Sequence, residues 1–181
     1  MPTLLQQDYF RKHGIYKKVF LWDVFYDPGL LFLLCFRRAQ NHSAQSPLGI
    51  FYRLVLRRYQ IRYGFQISAR TQIGGGLYLG HWGAIVINPK AKIGKNCNLA
   101  QGVTIGQTNR GESAGVPVIG DNVWIGANAV IVGGITIGNN VMIAPNSYVN
   151  RSVASNSIVV GNPMSTKESE NAVEGYINNS V

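Results

Sequence analysis

Residues 119–149 read IGDNVWIGANAVIVGGITIGNNVMIAPNSYV, with an aliphatic residue at every sixth position. The residues in phase are Ile119, Ile125, Ile131, Ile137, Ile143 and Val149. A step of six fits neither the 3.6-residue period of a helix face nor the two-residue alternation of a strand. It predicts a coil of short strands, in which each unit forms one flat face and its aliphatic residue stacks on the one a turn away.

The same repeat extends back to the middle of the chain. The step of six continues through Ile67, Ile73, Leu79 and Ile85. A slip of two residues then shifts its phase, and the step continues through Ile87, Ile93, Leu99 and Ile105. An excursion over 106–118, which does not follow the repeat, leads to Ile119. We therefore predict a mainly β protein. Its parallel β-helix spans 65–164, a helical region precedes it over 1–64, and a flexible polar tail follows over 165–181.

Before Gly64 the pattern is helical. Ser46 and Pro47 are typical of an N-cap followed by Pro at the first helical position, and Gly64 is a typical stop. An earlier helix is predicted over about 28–39.

Basic residues are concentrated in the first third of the chain. The formal net charge is +9, and residues 1–65 hold ten Lys and Arg against Asp8, Asp23 and Asp27. This distribution favours an anionic partner, such as lipid headgroups or a phosphorylated or acidic substrate, or else a solvated helix face. No nucleic-acid-binding motif accompanies the charge, so no nucleic-acid partner is predicted, and peripheral membrane contact through the basic helices stays open.

Other features bound the cellular setting. Cys35 and Cys97 are isolated and form neither a disulfide framework nor a metal site. The N-terminus lacks the apolar region of a signal peptide. The longest apolar run, 30–36, is far shorter than the roughly 20 residues of a membrane-spanning helix. The expected location is cytoplasmic, with a peripheral membrane position as the variant.

The repeat region holds few groups able to do chemistry. Residues 65–164 contain one His, His81, and two carboxylates, Glu112 and Asp121, and a turn role explains Asp121. This inventory excludes paired-carboxylate catalysis and a multi-His metal site, so no metal is predicted. His81 interrupts the repeat at the slip. We predict that it is a general base, with a structural His as the alternative.

The Ile-Gly repeat and the segment LGHWGAIVI at 79–87 resemble the hexapeptide-repeat acyltransferases. Within that superfamily they are similar to the serine acetyltransferases and to the O-acetyltransferases of capsule and colanic acid synthesis. The resemblance implies a left-handed coil, acetyl-CoA as co-substrate without a metal, and a homotrimer with active sites between subunits. It also places a catalytic His at His81.

Further site residues follow from the same resemblance. Gln66 stands where the serine acetyltransferases carry an Asp, and its carbonyl is a candidate to orient His81. The residues assigned to the acceptor are Gly80, Trp82, Arg110 and Glu112. Arg110 lies on the excursion and is a candidate to meet an anionic acceptor group or a coenzyme A phosphate, with a solvated loop cation as the alternative. Glu112 either bonds to a sugar hydroxyl or faces water. Those assigned to coenzyme A are Gly106, Gln107, Thr108, Gly126, Ala127, Ala144 and Lys167.

Departures from the serine acetyltransferase pattern guide the choice of acceptor. Gln66 and Gly80 replace acidic residues, and Gly115 and Val116 replace a basic residue and a His. The side chains that grip an amino acid are therefore missing. The leading prediction is an O-acetyltransferase acting on a saccharide, such as a surface-polysaccharide or capsule precursor. The alternatives are a serine O-acetyltransferase in cysteine biosynthesis and a non-catalytic hexapeptide scaffold.

Overall fold

The chain folds as a β-solenoid with helices at its N-terminal end. A computed structural model describes all of residues 1–181. Its helices are α1 (Leu4–His13), α2 (Leu21–Val24), α3 (Pro28–Asn41) and α4 (Pro47–Tyr63). Its strands are β1 (Phe65–Ile67), β2 (Gln72–Ile73), β3 (Ile85–Ile87), β4 (Lys92–Ile93), β5 (Asn98–Leu99), β6 (Thr104–Gly106), β7 (Val118–Ile119), β8 (Val123–Ile125), β9 (Val130–Val132), β10 (Thr136–Ile137), β11 (Val141–Ile143), β12 (Tyr148–Val149), β13 (Ser157–Val160) and β14 (Ser165–Glu168).

Three sheets form the faces of the solenoid. The first has the order β1-β3-β6-β9-β12, the second β2-β4-β7-β10 and the third β5-β8-β11-β13-β14. Every pair is parallel except β13 with β14, which is antiparallel. The prediction of a mainly β, parallel solenoid preceded by helices is confirmed, while its left hand stays a prediction.

The register reproduces the phase of the sequence repeat. Val86 pairs with Thr104, which is one regular turn of eighteen residues. At the slip Phe65 pairs with Ile85, so that turn is two residues longer. The excursion adds eight residues, since Thr104 pairs with Val130. Slip and excursion are therefore extra residues placed at corners, while the strands themselves stay aligned.

Inward aliphatic residues fill the solenoid. Ile67, Ile87, Ile105, Ile131 and Val149 stack in the first sheet, and each is at most 2% exposed. At the corners, Asn96, Asn122, Asn128, Asn140, Asn146 and Asn156 adopt positive φ of 53–60°. Asn tolerates this left-handed conformation better than other residues with a side chain. Asn at the corners is thus a second signature of the coil, which the sequence analysis used only around Asp121.

The helices close the first turn of the solenoid. Phe32 of α3 packs edge-on against Phe65 of β1, with ring centroids 4.9 Å apart. The predicted start of α4 after the Ser46 cap and its end at Gly64 are confirmed, as is the helix predicted over 28–39. The sequence analysis did not find α1 or α2. None of the four helices has the length and apolar character that crossing a membrane requires.

A buried ion pair ties two helices to the solenoid. Arg37 of α3 donates to both carboxylate oxygens of Asp8 in α1, at 2.8 and 3.1 Å, and both side chains are almost fully buried. Arg37 also donates to the carbonyls of Ile73 and Gly74, and Asp8 accepts from the Leu77 amide. Part of the basic N-terminal charge is therefore structural rather than a free surface for a partner.

Residues 165–181, which are predicted to be a flexible tail, contact the solenoid in the structure. After β14 the chain returns along the third sheet, where the Tyr176 ring lies 4.8 Å from that of Trp124 and the Tyr176 carbonyl accepts from Asn98. Asn179 donates to the Arg11 carbonyl, and the Val181 amide donates to Asn96. Asn side chains on the solenoid thus form hydrogen bonds with the backbone of residues 165–181, and composition alone does not predict these bonds.

Candidate active site

His81 lies on an exposed corner where the solenoid is interrupted. The corner, 80–84, separates the third-sheet face from β3, and the chain turns there through positive φ at Gly83 (116°) and Ala84 (47°). Backbone hydrogen bonds join this corner to the preceding and following turns of the solenoid. The Ile85 amide donates to the Gly64 carbonyl, and the Gly102 amide donates to the Gly83 carbonyl. The extra residues of the slip are what push the imidazole out of the coil.

The imidazole borders a small depression, here called the His81 pocket. Its volume is about 300 Å³, and its lining is Tyr78, Gly80, His81, Asn98, Leu99, Ala100, Gln101, Trp124, Ala127 and Pro145. Apart from His81 none of these side chains is ionisable near neutral pH. The imidazole has no hydrogen-bond partner within the chain, so it is free to meet a ligand.

Gln66 lies on β1, the strand that pairs with β3 just after the His81 corner. Its exposed side chain points outward from β1 and lines a larger depression of about 680 Å³, together with Val86 and Gly106. No hydrogen bond joins Gln66 to His81. Within one chain the structure does not bring the predicted base and its predicted partner together, and the orienting role of Gln66 stays a prediction.

The excursion folds back on itself as a short hairpin. Thr108 and Gly115 exchange backbone hydrogen bonds of 3.0 and 2.9 Å, and the Gly134 amide donates to the Ser113 carbonyl. Arg110 and Glu112 are exposed on this hairpin and line neither depression. Their assigned contact with an acceptor therefore requires a ligand or a second chain that approaches the hairpin.

The residues assigned to coenzyme A are divided between two surfaces. Ala127 lines the His81 pocket, and Gly126 precedes it in a place where a Cβ atom would lie 2.6 Å from the Pro145 nitrogen. Gly106 lines the larger depression beside Gln66. Gln107 and Thr108 follow Gly106 into the hairpin, Ala144 follows β11, and Lys167 is exposed on β14. Of the small residues in this set, Gly106, Ala127 and Ala144 are partly exposed and Gly126 is buried.

Sequence reasoning missed the contribution of the helices to the His81 corner. Gly29, in the first turn of α3, packs directly on the Leu79 carbonyl. Asp27 caps α3 and pairs with Lys12, whose ammonium lies 6.0 Å from the centroid of the Tyr78 ring. Asp27 precedes a Pro and is therefore typical of a helix start. Nothing in the sequence links Asp27 to His81, which lies 54 positions later.

Gly29→Ala is expected to destabilise the protein by about 1–3 kcal/mol through overpacking. The added Cβ would lie 2.2 Å from the Leu79 carbonyl oxygen, so α3 has to move away from the corner that carries His81. Ala normally stabilises a helix by about 1 kcal/mol relative to Gly. A lower free energy of unfolding in the variant is therefore the opposite of what helix propensity alone predicts. Urea unfolding measures it, and an unchanged or more stable variant contradicts the close contact.

Comparison with known proteins identifies the repeat. Residues 117–151 match the family model described as bacterial transferase hexapeptide (six repeats). The chain is 35% identical over 136 residues to a serine acetyltransferase of Synechococcus elongatus, covering 75% of this chain and 55% of that protein. It is 45% identical over 100 residues to that of Staphylococcus xylosus, covering 55% and 46%.

Solved structures give the same similarity. Serine acetyltransferase of Neisseria gonorrhoeae superposes with a TM-score of 0.74 at 27% identity, covering 92% of this chain and 64% of that one. The serine acetyltransferase isoform 3 of Entamoeba histolytica, solved with cysteine, gives 0.69 at 29% identity, covering 87% and 57%. The chain spans about half the length of the curated relatives it matches.

Proposed function

Since this chain is a hexapeptide-repeat protein close to the serine acetyltransferases, we propose that it is an acetyl-CoA-dependent O-acetyltransferase with His81 as its general base. The observation that carries the proposal is the exposed, unpartnered imidazole at the interruption of the solenoid, beside a pocket whose other lining residues are uncharged. The repeat region contains no other imidazole.

The proposed reaction needs one proton carrier. As the acceptor oxygen attacks the thioester carbonyl, its proton passes to the His81 imidazole. When the C–S bond breaks, the imidazolium returns that proton to the sulfur, so the products are an acetyl ester and free coenzyme A. Backbone amides near the corner are candidate donors to the developing oxyanion. No metal enters this scheme.

Similarity to the serine acetyltransferases favours L-serine as the acceptor. That is the alternative given by the sequence analysis, and no relative named above supports its leading prediction of a saccharide. A saccharide hydroxyl is the second candidate on one observation, which is that the His81 pocket offers no charged side chain besides His81 to a zwitterion. Serine would have to find its charged partners outside that pocket, for example in the Lys12–Asp27 pair or Arg110.

The test is acetyl-CoA-dependent release of free thiol with L-serine beside a panel of sugars, sugar phosphates and nucleotide sugars. Serine-dependent release at millimolar serine supports the serine proposal. Release only with a saccharide reverses the order of the two acceptors. A chain that releases no thiol with any acceptor, while remaining folded, favours the non-catalytic scaffold.

The chain's own thiols are expected not to disturb that assay. Burial raises the pKa of Cys35 to about 11 and that of Cys97 to about 12, and the thiolate is the reactive form. Native protein should therefore show almost no reaction with Ellman's reagent at pH 8 over the minutes of the assay. In denaturant two thiols should react per chain, and fast labelling of the native protein contradicts the burial.

A homotrimer with sites between subunits is part of the proposal. It is supported by the division of the assigned residues between two depressions, His81 in one and Gln66 and Gly106 in the other. A second chain that contributes to each site would bring both sets of residues around one ligand. Light scattering should give three times the mass of one chain. An active monomer contradicts this arrangement.

A cytoplasmic location and peripheral membrane contact stay predictions. Several apolar side chains on the helical region are more than half exposed, including Trp22, Tyr26, Leu54 and Ile61. Such exposed side chains beside basic residues are what membrane contact requires. The relatives named above give no support for membrane contact.

A further inference from the structure

The larger depression, which contains Gln66, is rich in arginine. It lies between α4 and the first sheet, has a volume of about 680 Å³, and is here called the arginine pocket after Arg53, Arg57 and Arg70. Its lining contains no carboxylate. Its floor is formed by apolar residues of the first sheet together with Gln66 and Gly106.

The positive charge of this pocket has no internal counter-charge. The ion pairs of the structure use Asp8, Asp23 and Asp27, and the chain has no further Asp or Glu before Glu112. The guanidinium groups of Arg57 and Arg70 make no hydrogen bond within the chain. Three arginines therefore converge on one cavity without neutralisation.

Arg53 is held in place by the backbone. Its Nη1 atom donates to the carbonyls of His42 and Gly49, at 3.2 and 3.1 Å, and its side chain is half-buried. These bonds involve one of the three guanidinium nitrogens, so the others stay available. The pocket thus combines one fixed guanidinium with two free ones.

The chemistry of this lining selects a particular anion. The guanidinium fork matches the oxygens of phosphate in a bidentate way, and several arginines around one cavity suit the multiple oxygens of a phosphate ester. Ser68 and Asn88, at the rim, add neutral hydrogen-bonding groups. A volume of about 680 Å³ far exceeds a free ion, so the phosphate is expected to belong to a larger ligand.

We propose that the arginine pocket binds a phosphate group of a ligand of the transferase. The inference rests on the proposed function, because Gln66 and Gly106 belong both to this pocket and to the residues assigned to the active site. Two sources supply the same chemistry. One is an acceptor that carries a phosphate or a nucleoside diphosphate, and the other is the phosphorylated end of coenzyme A.

The first experiment measures pyrophosphate binding by calorimetry at low salt, without turnover. The Arg57→Gln/Arg70→Gln double variant should weaken binding at least tenfold. The matched control is Arg58→Gln/Arg62→Gln, which removes the same charge from α4 outside the arginine pocket and should change the affinity less than twofold. Equal losses in both variants, or no pyrophosphate binding by the wild type, overturn the inference.

The second experiment assigns the source with two probes, uridine diphosphate and 3′,5′-adenosine bisphosphate. If the Arg57→Gln/Arg70→Gln variant loses affinity for uridine diphosphate, the phosphate belongs to the acceptor. If it loses affinity for 3′,5′-adenosine bisphosphate, the phosphate belongs to coenzyme A. A double variant that binds both probes as the wild type does overturns the inference. An enzyme that transfers acetyl groups through His81 but binds no phosphate probe overturns this inference alone, whereas failure of His81-dependent transfer with intact binding overturns the proposed function alone.

Discussion

The His81→Ala variant is expected to lose acetyl transfer by about 10²–10⁴-fold in kcat, which is the usual contribution of a positioned general base. His81 is the only imidazole of the repeat region, and it is exposed with no partner inside the chain. Its removal should therefore leave the fold and the KM for acetyl-CoA nearly unchanged. The measurements are steady-state kinetics with the acceptor found by the screen, and thermal unfolding.

His42→Ala is the matched control for this prediction. His42 caps the C-terminal end of α3, where its Nδ1 atom is 2.8 Å from the Arg38 carbonyl oxygen, whereas the opposite end of α3 packs at the His81 corner through Gly29. It should keep kcat within about twofold, because no proton of the proposed reaction passes through it. A His81→Ala enzyme as active as this control contradicts the role of His81 as the general base.

The Asp8→Ala variant is expected to be destabilised by about 3–5 kcal/mol, because it leaves the buried guanidinium of Arg37 without its counter-charge. Asp8 accepts two hydrogen bonds from Arg37 and one from the Leu77 amide, and its side chain has no exposure to water. A loss of this size is a large fraction of the stability of an ordinary domain. Urea unfolding followed by circular dichroism measures it.

Two further variants separate this effect from a general loss of charge. Asp23→Ala removes a carboxylate of the same helical region whose partner, Lys17, is 39% exposed, and it should shift the unfolding midpoint much less. The double change Asp8→Leu/Arg37→Met should recover part of the loss, since it leaves no buried charge unpaired. If Asp8→Ala and Asp23→Ala unfold at the same denaturant concentration, the buried pair does not hold the helices to the solenoid.

The repeat made most of the solenoid predictable. An aliphatic residue at every sixth position is buried when each unit forms one face of a coil, and the two extra residues near His81 leave the coil as a corner. The starts of α3 and α4 were readable because Asp27 and Ser46 are capping residues followed directly by Pro. Local chemistry was sufficient in each of these cases.

The contacts that were missed are those between parts of the chain far apart in sequence. The sequence around Asp8 does not indicate that its partner is Arg37. The helix α1 also lacks the strong apolar face that would have predicted it. The polar composition of residues 165–181 predicted mobility, yet Asn96 and Asn98 hold their backbone. The arginine pocket likewise depends on how α4 lies over the first sheet, which only the tertiary structure gives.

The course of the last residues bears on how the molecule reaches its final state. Asn179 and Val181 contact Arg11 and Asn96, which lie 168 and 85 positions earlier in the sequence. Pairings of such long sequence separation form late, since loop-closure entropy opposes them until the intervening chain is ordered. The solenoid is therefore expected to form before this segment docks along its third sheet.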